Sequence, residues 1–373
     1  MLRQRYYFYS TLGGIGLLCS FCQWLMFRHG VEELQGTVGF VLFLLLPLAF
    51  VLPNTMEEHL PVPVSRVLAW IGGYCFVFIF YGTMLLLPFF FIWAILNLVG
   101  CGAWWGTAAA VYAKGALFLL GMLLPVGWYK ASHPVVREIT LVTKKVKGQG
   151  LLVAFASDIH LGMVLGKNFA RKLVRDMNAL KPDLVILGGD IIDGNLSFVL
   201  KDGSFHGLAG IEAKYGAFAV LGNHDHYGQD VEGEKKELAE QGIRCLLGET
   251  VMLENVQVTA MKDALFYPRD KLPMPVAGKF SILVEHEPVR IEEAERLGYD
   301  LYLAGHTHAG QFWPIRRFTR KMFFLDYGTS RFGNMTAVVS SGYGAWGMLF
   351  RLQVSPEIVL IRLKPESESV EDV

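Results

Sequence analysis

Two regimes of hydrophobic patterning divide the chain: up to about residue 130 the apolar residues run almost unbroken, and beyond Leu151 they come in short runs, each closed by a polar cluster. A helix crossing a hydrocarbon core about 30 Å thick, at about 1.5 Å per residue, needs about 20 apolar residues. Tyr6 to Phe27 meets this comfortably and Thr37 to Leu52 narrowly. Val67 to Trp128 carries Lys114 as its only Asp, Glu, Lys or Arg. Three helices there would leave nothing for turns, whereas two parted at Gly100 to Gly106 leave room for one long or tilted span that includes Pro88. Four spans are therefore predicted over residues 1–130. Arg3 and Arg5 precede the first as they would a signal peptide, yet its apolar stretch is too long and no small-residue cleavage site follows, so it is expected to be retained.

Beyond a basic stretch at residues 131–150, expected to be a linker, the segments LLVAFASD, DLVILGGD, GAFAVLGNHD, FSILVEHEP and DLYLAGHTH read as buried strands with polar residues at their C-terminal ends. Helical periodicity lies between the first two, over Asn168 to Leu180, and between the last two, over Pro288 to Leu297. Strand, helix, strand in repetition predicts an α/β sandwich over residues 151–365. In such folds the site lies beyond the carboxyl ends of the strands, so the five polar clusters should converge. The acidic tail, residues 366–373, is expected to be disordered.

Composition supports the division. Of 373 residues 53% are hydrophobic and 18% charged, where soluble proteins carry about a quarter charged. Only ten of the charged residues fall in the first 130 positions, so a membrane domain is joined to a normally charged one. Zero net charge argues against general nucleic-acid binding, which needs a basic footprint. With four spans, Arg3, Arg5, Arg66, Lys130, Arg137, Lys144, Lys145 and Lys147 fall on one side and only Arg28 on the other, which predicts a cytoplasmic C-terminal domain; five spans would invert it. Lys114 reads either as a polar site within a span or as a snorkelling side chain. Cys245 stands alone in the soluble block, so no disulfide framework forms there. Cys19 and Cys22 form a CxxC within an apolar run, where i and i+3 simply share a helix face.

The polar clusters hold ligand chemistry. Asp158 and His160, two apart, share one face of an extended segment. Asp190 ends GGD, Asn223 and His224 sit in GNHD, His286 in EHEP, and His306 with His308 in GHTH. Carboxylate, amide oxygen and imidazole together suit Mn²⁺, Fe or Zn²⁺, and this many donors exceed what one ion takes, which implies two metals sharing a carboxylate. The series Asp158-x-His160, Gly189-Asp190-x-x-Asp193, Gly222-Asn223-His224-Asp225, His286-x-Pro288 and Gly305-His306-x-His308 resembles the calcineurin-like metallophosphoesterase superfamily. The GHTHAGQ segment and the closing PEIVLIRLK resemble its membrane-associated branch. Ala309 stands where many relatives have a second glycine.

The resemblance covers roughly Leu151 to Lys364 and implies a metallophosphoesterase α/β sandwich there, so with the spans read from hydropathy the expected architecture is an N-terminal four-helix transmembrane domain followed by that sandwich. It further implies that Asp158, His160, Asp190 and His308 bind one metal and that Asp190, Asn223, His286 and His306 bind the other, with Asp190 bridging. His224 is then the general acid for the leaving oxygen, oriented by Asp193, although Asp193 also reads as a turn-capping residue. Asp225 and His226 read as supporting partners or as loop structure. The expected function is hydrolysis of a phosphodiester, pyrophosphate or phosphomonoester by a multi-pass membrane enzyme, with a lipid-linked substrate favoured. A tethered hydrolase of soluble nucleotides or phosphoproteins, or a membrane sensor or transporter with a regulatory phosphoesterase-like domain, remains open. Downstream, AGQFWPIRRFTRKMFF interleaves Phe312, Trp313, Phe318, Phe323 and Phe324 with Arg316, Arg317, Arg320 and Lys321. It reads either as a surface laid on the membrane or as an ordinary strand and loop.

Overall fold

The computed structural model describes residues 2–57 and 59–366, so all but the first residue of the acidic tail lies outside the described residues. The chain divides between Trp128 and Tyr129 into two compact units. In the first, helices α1 (Leu2–Phe27), α2 (Thr37–Met56) and α3 (Val62–Leu98) precede α4 (Trp105–Ser132), which continues past the division. Four helices, among the described residues, are long and apolar enough to cross a membrane. The break between α3 and α4 falls at the expected glycines, and α3, about 55 Å long at 1.5 Å per residue, is the long helix with Pro88 inside it. Phe27 of α1 packs against Phe43 of α2 and Phe78 of α3, each with ring centroids 5.7 Å apart. Gln23 of α1 donates to Ile79 O (2.8 Å) and Thr83 Oγ1 (2.9 Å) of α3, a polar link between helices that hydropathy alone does not reveal. Lys114 is exposed on α4, as a snorkelling side chain would be, and Cys19 and Cys22 are free and half-buried.

The second unit holds two six-stranded sheets. The first takes β1 (Val135–Thr143), β2 (Leu151–Ala156), β3 (Leu184–Gly188), β4 (Ala217–Val220), β5 (Ile243–Cys245) and β12 (Glu357–Pro365), in the order β1-β12-β2-β3-β4-β5. The second takes β6 (Thr250–Leu253), β7 (Val256–Ala260), β8 (Phe280–Val284), β9 (Leu301–Ala304), β10 (Gly328–Phe332) and β11 (Met335–Val339), in the order β10-β11-β9-β8-β7-β6. β2 through β5 pair in parallel, as do β7, β8 and β9.

Alternation within the buried strands assigns each side chain to a layer. Val153 and Phe155 of β2 join Ile186 and Val220 against Val258, Ile282 and Leu303 of the other sheet, which makes the core between sheets. Ala154 and Ala156 face the opposite way, toward α5 (Lys167–Ala179). That helix buries Ala170, Leu173, Val174 and Met177, one stripe at helical spacing. On the far side of the second sheet, Leu283 and Tyr302 pack on Ile291 and Ala294 of α9 (Ile291–Leu297), which a left-handed Gly298 terminates. Helix, sheet, sheet, helix is the α/β sandwich the patterning predicts. Shorter helices lie in the connections: α6 (Leu196–Asp202), α7 (Asn223–Tyr227), α8 (Val231–Glu240) and α10 (Arg316–Met322).

Two segments depart from expectation. Within the stretch expected to be a basic linker, β1 pairs in parallel with β12 across nine residues. Its faces alternate between exposed and half-buried, so it is an edge strand whose apolar positions are diluted by charge. After Phe312 the chain forms α10 rather than a strand. The basic and aromatic residues there alternate by chance over a few positions, and helical pairing takes over once Pro314 has turned the chain.

Candidate metal centre and its histidine pair

The loops that leave β2, β3, β4, β8 and β9 bring all the expected residues to one edge of the two sheets. Backbone bonds stitch the first two loops together: Asp158 N donates to Gly189 O (2.9 Å) and His160 N to Asp190 O (2.9 Å). The turns are so tight that Asp158 (φ 53°), His160 (φ 52°), Asp190 (φ 51°), His306 (φ 70°) and His308 (φ 49°) all lie in the left-handed region, a conformation that costs a non-glycine residue about 1–3 kcal/mol and clusters at functional sites. Ala309 shares it at φ 49°, so an alanine there keeps the backbone path and carries the strain a glycine would avoid. Gly222 is required by proximity instead, since a Cβ there would fall 2.3 Å from Asp190 Oδ1 and 2.5 Å from the His286 ring.

The donor atoms form overlapping groups, each closing to within 4.8 Å: Asp158, His160 and His308; His160, Asp190 and His224; Asp190, His286 and His306. Asp190 belongs to the second and third groups and also reaches a histidine of the first, with Oδ2 3.1 Å from His286 Nε2 and 3.7 Å from His160 Nε2. Its Oδ1 accepts the His224 amide at 2.8 Å, at the start of α7. Asn223 presents Oδ1 to His306 Nδ1 at 2.9 Å, while its amide nitrogen is held by Tyr227 Oη at 3.1 Å. His286 Nδ1 sits 2.8 Å from Gly188 O, which turns Nε2 toward the cluster; burial favours the neutral ring, but the Asp190 charge 3.1 Å away holds it well above the ordinary histidine range, so a bound cation would displace a proton there.

These residues fit divalent cations. Carboxylate, amide and imidazole lone pairs converge, with His160 Nε2 only 2.9 Å from His308 Nε2 and 3.5 Å between His308 Nε2 and Asp158 Oδ1. A fully buried guanidinium, Arg351, lies beside His308, with Nη2 3.1 Å from its Nδ1. Burial and the neighbouring histidines hold His308 well below the ordinary histidine range and push His306 down to about 4, so both rings are neutral ligand donors at neutral pH. Burial opposes ionisation of Asp190 too, but the charges of His286 and His224 outweigh it and hold the carboxyl well below its usual range.

His224 and Asp193 form a pair beside this cluster. His224 Nδ1 lies 2.9 Å from Asp193 Oδ1, and the same oxygen is 3.3 Å from His160 Nδ1. Asp193 therefore contacts two histidines at once. Partial burial works against its charge, but the close contacts with the His160 and His224 rings keep it below the ordinary carboxylate range. For His224 burial favours the neutral ring, yet the Asp190 charge and the Asp193 hydrogen bond raise it above the ordinary histidine value. Asp225 fills a loop-holding role: its carboxylate accepts from Ile191 N, Ile192 N and Gly222 N at 2.8–2.9 Å and joins the turns after β3 and β4. His226 turns away to Gly222 O (2.7 Å) and stacks on Phe266.

The motif reading missed Arg351, Tyr227 and Trp346. Tyr227 and Trp346 flank His224, with ring centroids at 5.0 and 6.4 Å. Tyr227 stands four residues after Asn223, so helical spacing in GNHDHY contained that contact. Arg351 and Trp346 arrive from a loop before β12, and no local spacing in the sequence signals them.

The sequence model of the calcineurin-like phosphoesterase family matches residues 151–310, the span that carries every donor described above. An uncharacterized metallophosphoesterase of Aquifex aeolicus is 32% identical over 242 residues, which cover 61% of this chain and 91% of that one. A zebrafish transmembrane protein with metallophosphoesterase domain is 28% identical over 320 residues, covering 75% of this chain and 71% of its own. An uncharacterized metallophosphoesterase of Helicobacter pylori is 28% identical over 258 residues, or 65% and 68% of the two chains. The chain belongs to the calcineurin-like phosphoesterase family and is a metal-dependent phosphoesterase.

Proposed function

We propose that this chain is a multi-pass membrane phosphohydrolase that uses two divalent ions to cleave a phosphodiester, pyrophosphate or phosphomonoester of a lipid-linked substrate. Asp158, His160, Asp190 and His308 would hold one ion and Asp190, Asn223, His286 and His306 the other, with Asp190 shared. When bound, the ions supply neutralisation of phosphate charge and acidification of water, and Mn, Fe or Zn each suit this mixed oxygen and nitrogen set. The carrying observation is the position of Asp190, within 3.7 Å of histidines from both outer donor groups.

The residues of the chain supply the proton chemistry. With Nδ1 bound to Asp193, His224 presents Nε2 outward and delivers its proton to the departing oxygen. Asp193 orients that ring and stabilises its charged form. Tyr227 and Trp346 wall the space around His224 and exclude water from the apolar part of a leaving group. Support for a membrane setting comes from the four apolar helices and from the zebrafish and bovine relatives, both named transmembrane proteins.

The test is hydrolysis by the detergent-purified chain of a panel of phosphorylated lipids, nucleotides and phosphopeptides. Chelation should abolish activity, divalent metal should restore it, and lipids should be preferred. Activity that survives complete metal removal would sink the two-ion reading, and preference for nucleotides or phosphopeptides would sink the lipid one.

A further inference from the structure

The segment after the GHTH loop is anchored at its start and again through Asp326, which Arg316 and Thr319 both contact, yet it carries several exposed apolar side chains. Phe312 is buried and stacks on Phe350 at 5.9 Å, while Gln311 bonds Trp346 through both its side-chain nitrogen and oxygen. Beyond that anchor Trp313, Phe318, Met322 and Phe324 are 50%, 63%, 74% and 64% exposed. Phe318 and Met322 stand four apart on α10 and so share one of its faces. Four large apolar side chains exposed within twelve residues form a patch that a soluble surface seldom tolerates. Among the cations, Arg316 is paired with Asp326 (3.1 Å), but Arg317, Arg320 and Lys321 are exposed and, among the described residues, have no acidic partner. The segment also abuts the donor cluster, since the Phe323 ring meets that of His306 edge-on at 5.8 Å.

We propose that α10 and the turns on either side of it, with Trp313, Phe318, Met322 and Phe324 as apolar tips, Arg317 and Lys321 flanking the face shared by Phe318 and Met322, and Arg320 adding charge from behind it, dock on an anionic lipid bilayer. The charge pattern selects this occupant: unpaired cations interleaved with aromatic and thioether tips match a surface that offers phosphates above hydrocarbon. Such a surface is at hand, because the same chain carries four helices long and apolar enough to cross a bilayer. Docking would place the donor cluster beside lipid headgroups, a consequence that rests on the proposed hydrolysis of a lipid-linked phosphate. The docking itself does not depend on catalysis.

The experiment uses the full-length chain in nanodiscs, with Met322→Cys carrying an environment-sensitive fluorophore and the labelling of the unsubstituted chain subtracted. Bilayers of phosphatidylcholine alone are compared with bilayers containing about 30% phosphatidylglycerol, each with and without brominated acyl chains. Bromine quenching is expected in the anionic discs, at least about threefold stronger than in neutral ones, and lost when Arg317, Arg320 and Lys321 are all changed to Gln. A probe at Glu240→Cys on exposed α8 should stay unquenched. Absence of quenching at Met322 in anionic discs overturns the proposal, as does equal quenching in both lipids or in the triple variant. A blue shift that grows with protein concentration without bromine quenching assigns the face to a second copy of the chain and equally overturns it. In a separate arm, the triple variant should lose turnover of a bilayer-embedded phosphodiester while sparing a short-chain soluble one. If quenching behaves as expected and turnover of both is unchanged, docking stands and the lipid-linked substrate reading fails.

Discussion

His224 owes its chemistry to two carboxylates, and the sign of their effect can be worked through. Burial lowers its proton affinity, while the Asp190 charge and the Asp193 hydrogen bond raise it above the ordinary value. A general acid works only while protonated, so the rate should fall on the alkaline side as His224 loses its proton. Asp193→Asn removes a negative charge, destabilises the imidazolium and should move that alkaline limb to lower pH; a pH profile of kcat with an alkoxide leaving group reads it, and a limb that stays put or moves up contradicts the pairing. His224→Ala should keep its metal and lose about 10²–10⁴-fold for alkoxide leaving groups but far less for nitrophenolate, which departs readily without a proton. Equal losses for both would remove His224 from the acid role. Asp190→Asn and His286→Ala act first on the metals: affinity should fall by more than the roughly 10–100-fold that losing a ligand's supporting partner costs, read by elemental analysis as metal lost on dialysis. Retention of full metal by Asp190→Asn would refute its shared position.

Strands whose apolar run is buried on both faces were legible because burial leaves almost nothing polar inside them, Ser281 of β8 being an exception that bonds Asp300: β2, β3, β4, β8 and β9 all fall where the patterning places them. Their terminal polar residues were legible for the same reason, as a buried strand tolerates Asp158 or His306 only where it ends. The left-handed turns behind them were not, because no residue type in DIH or GHTH demands positive φ; packing against the neighbouring loop imposes it. β1 escaped because an edge strand needs only one half-buried face, and Arg137 and Glu138 blur its alternation. Its anchor is an ion pair: both guanidinium nitrogens of Arg137 that face Glu357 lie 2.9 Å from its carboxylate, which is buried and also accepts from Ser341 N. Arg137→Leu would strand that charge. Breaking a buried pair costs about 3–5 kcal/mol, and partial exposure of Arg137 together with the remaining donor places the expected loss at or below the low end of that range. Thermal unfolding of the purified full-length chain measures it, and an unchanged midpoint would mean that β1 adds little to the sheet.

At the scale of the whole molecule the question is which side of the membrane receives the phosphoesterase unit. Among the described residues four helices qualify as spans by length and composition, and the break between the third and fourth falls between Leu98 and Trp105, at the first of the expected glycines, rather than within the long third helix. An even number of crossings returns the chain to the side on which it began. Arg3, Arg5, Arg66 and the basic residues from Lys130 to Lys147 then share a side, against Arg28 on the other. Lys and Arg near span ends are retained on the cytoplasmic side, because moving them across a membrane works against both desolvation and the membrane potential. A reporter active only in the cytoplasm, fused after Val373, should therefore be active, and one that requires export should be silent. A partner fusion in the loop between α1 and α2, beside Arg28, should show the reverse. Changing Lys144, Lys145 and Lys147 to Gln weakens the bias without touching a span, so it should raise the minority population with inverted reporter activity. If the C-terminal reporter is active only outside, either the crossings number five or the charge asymmetry does not set orientation, and the loop fusion separates these: five crossings leave it outside, whereas inversion brings it in.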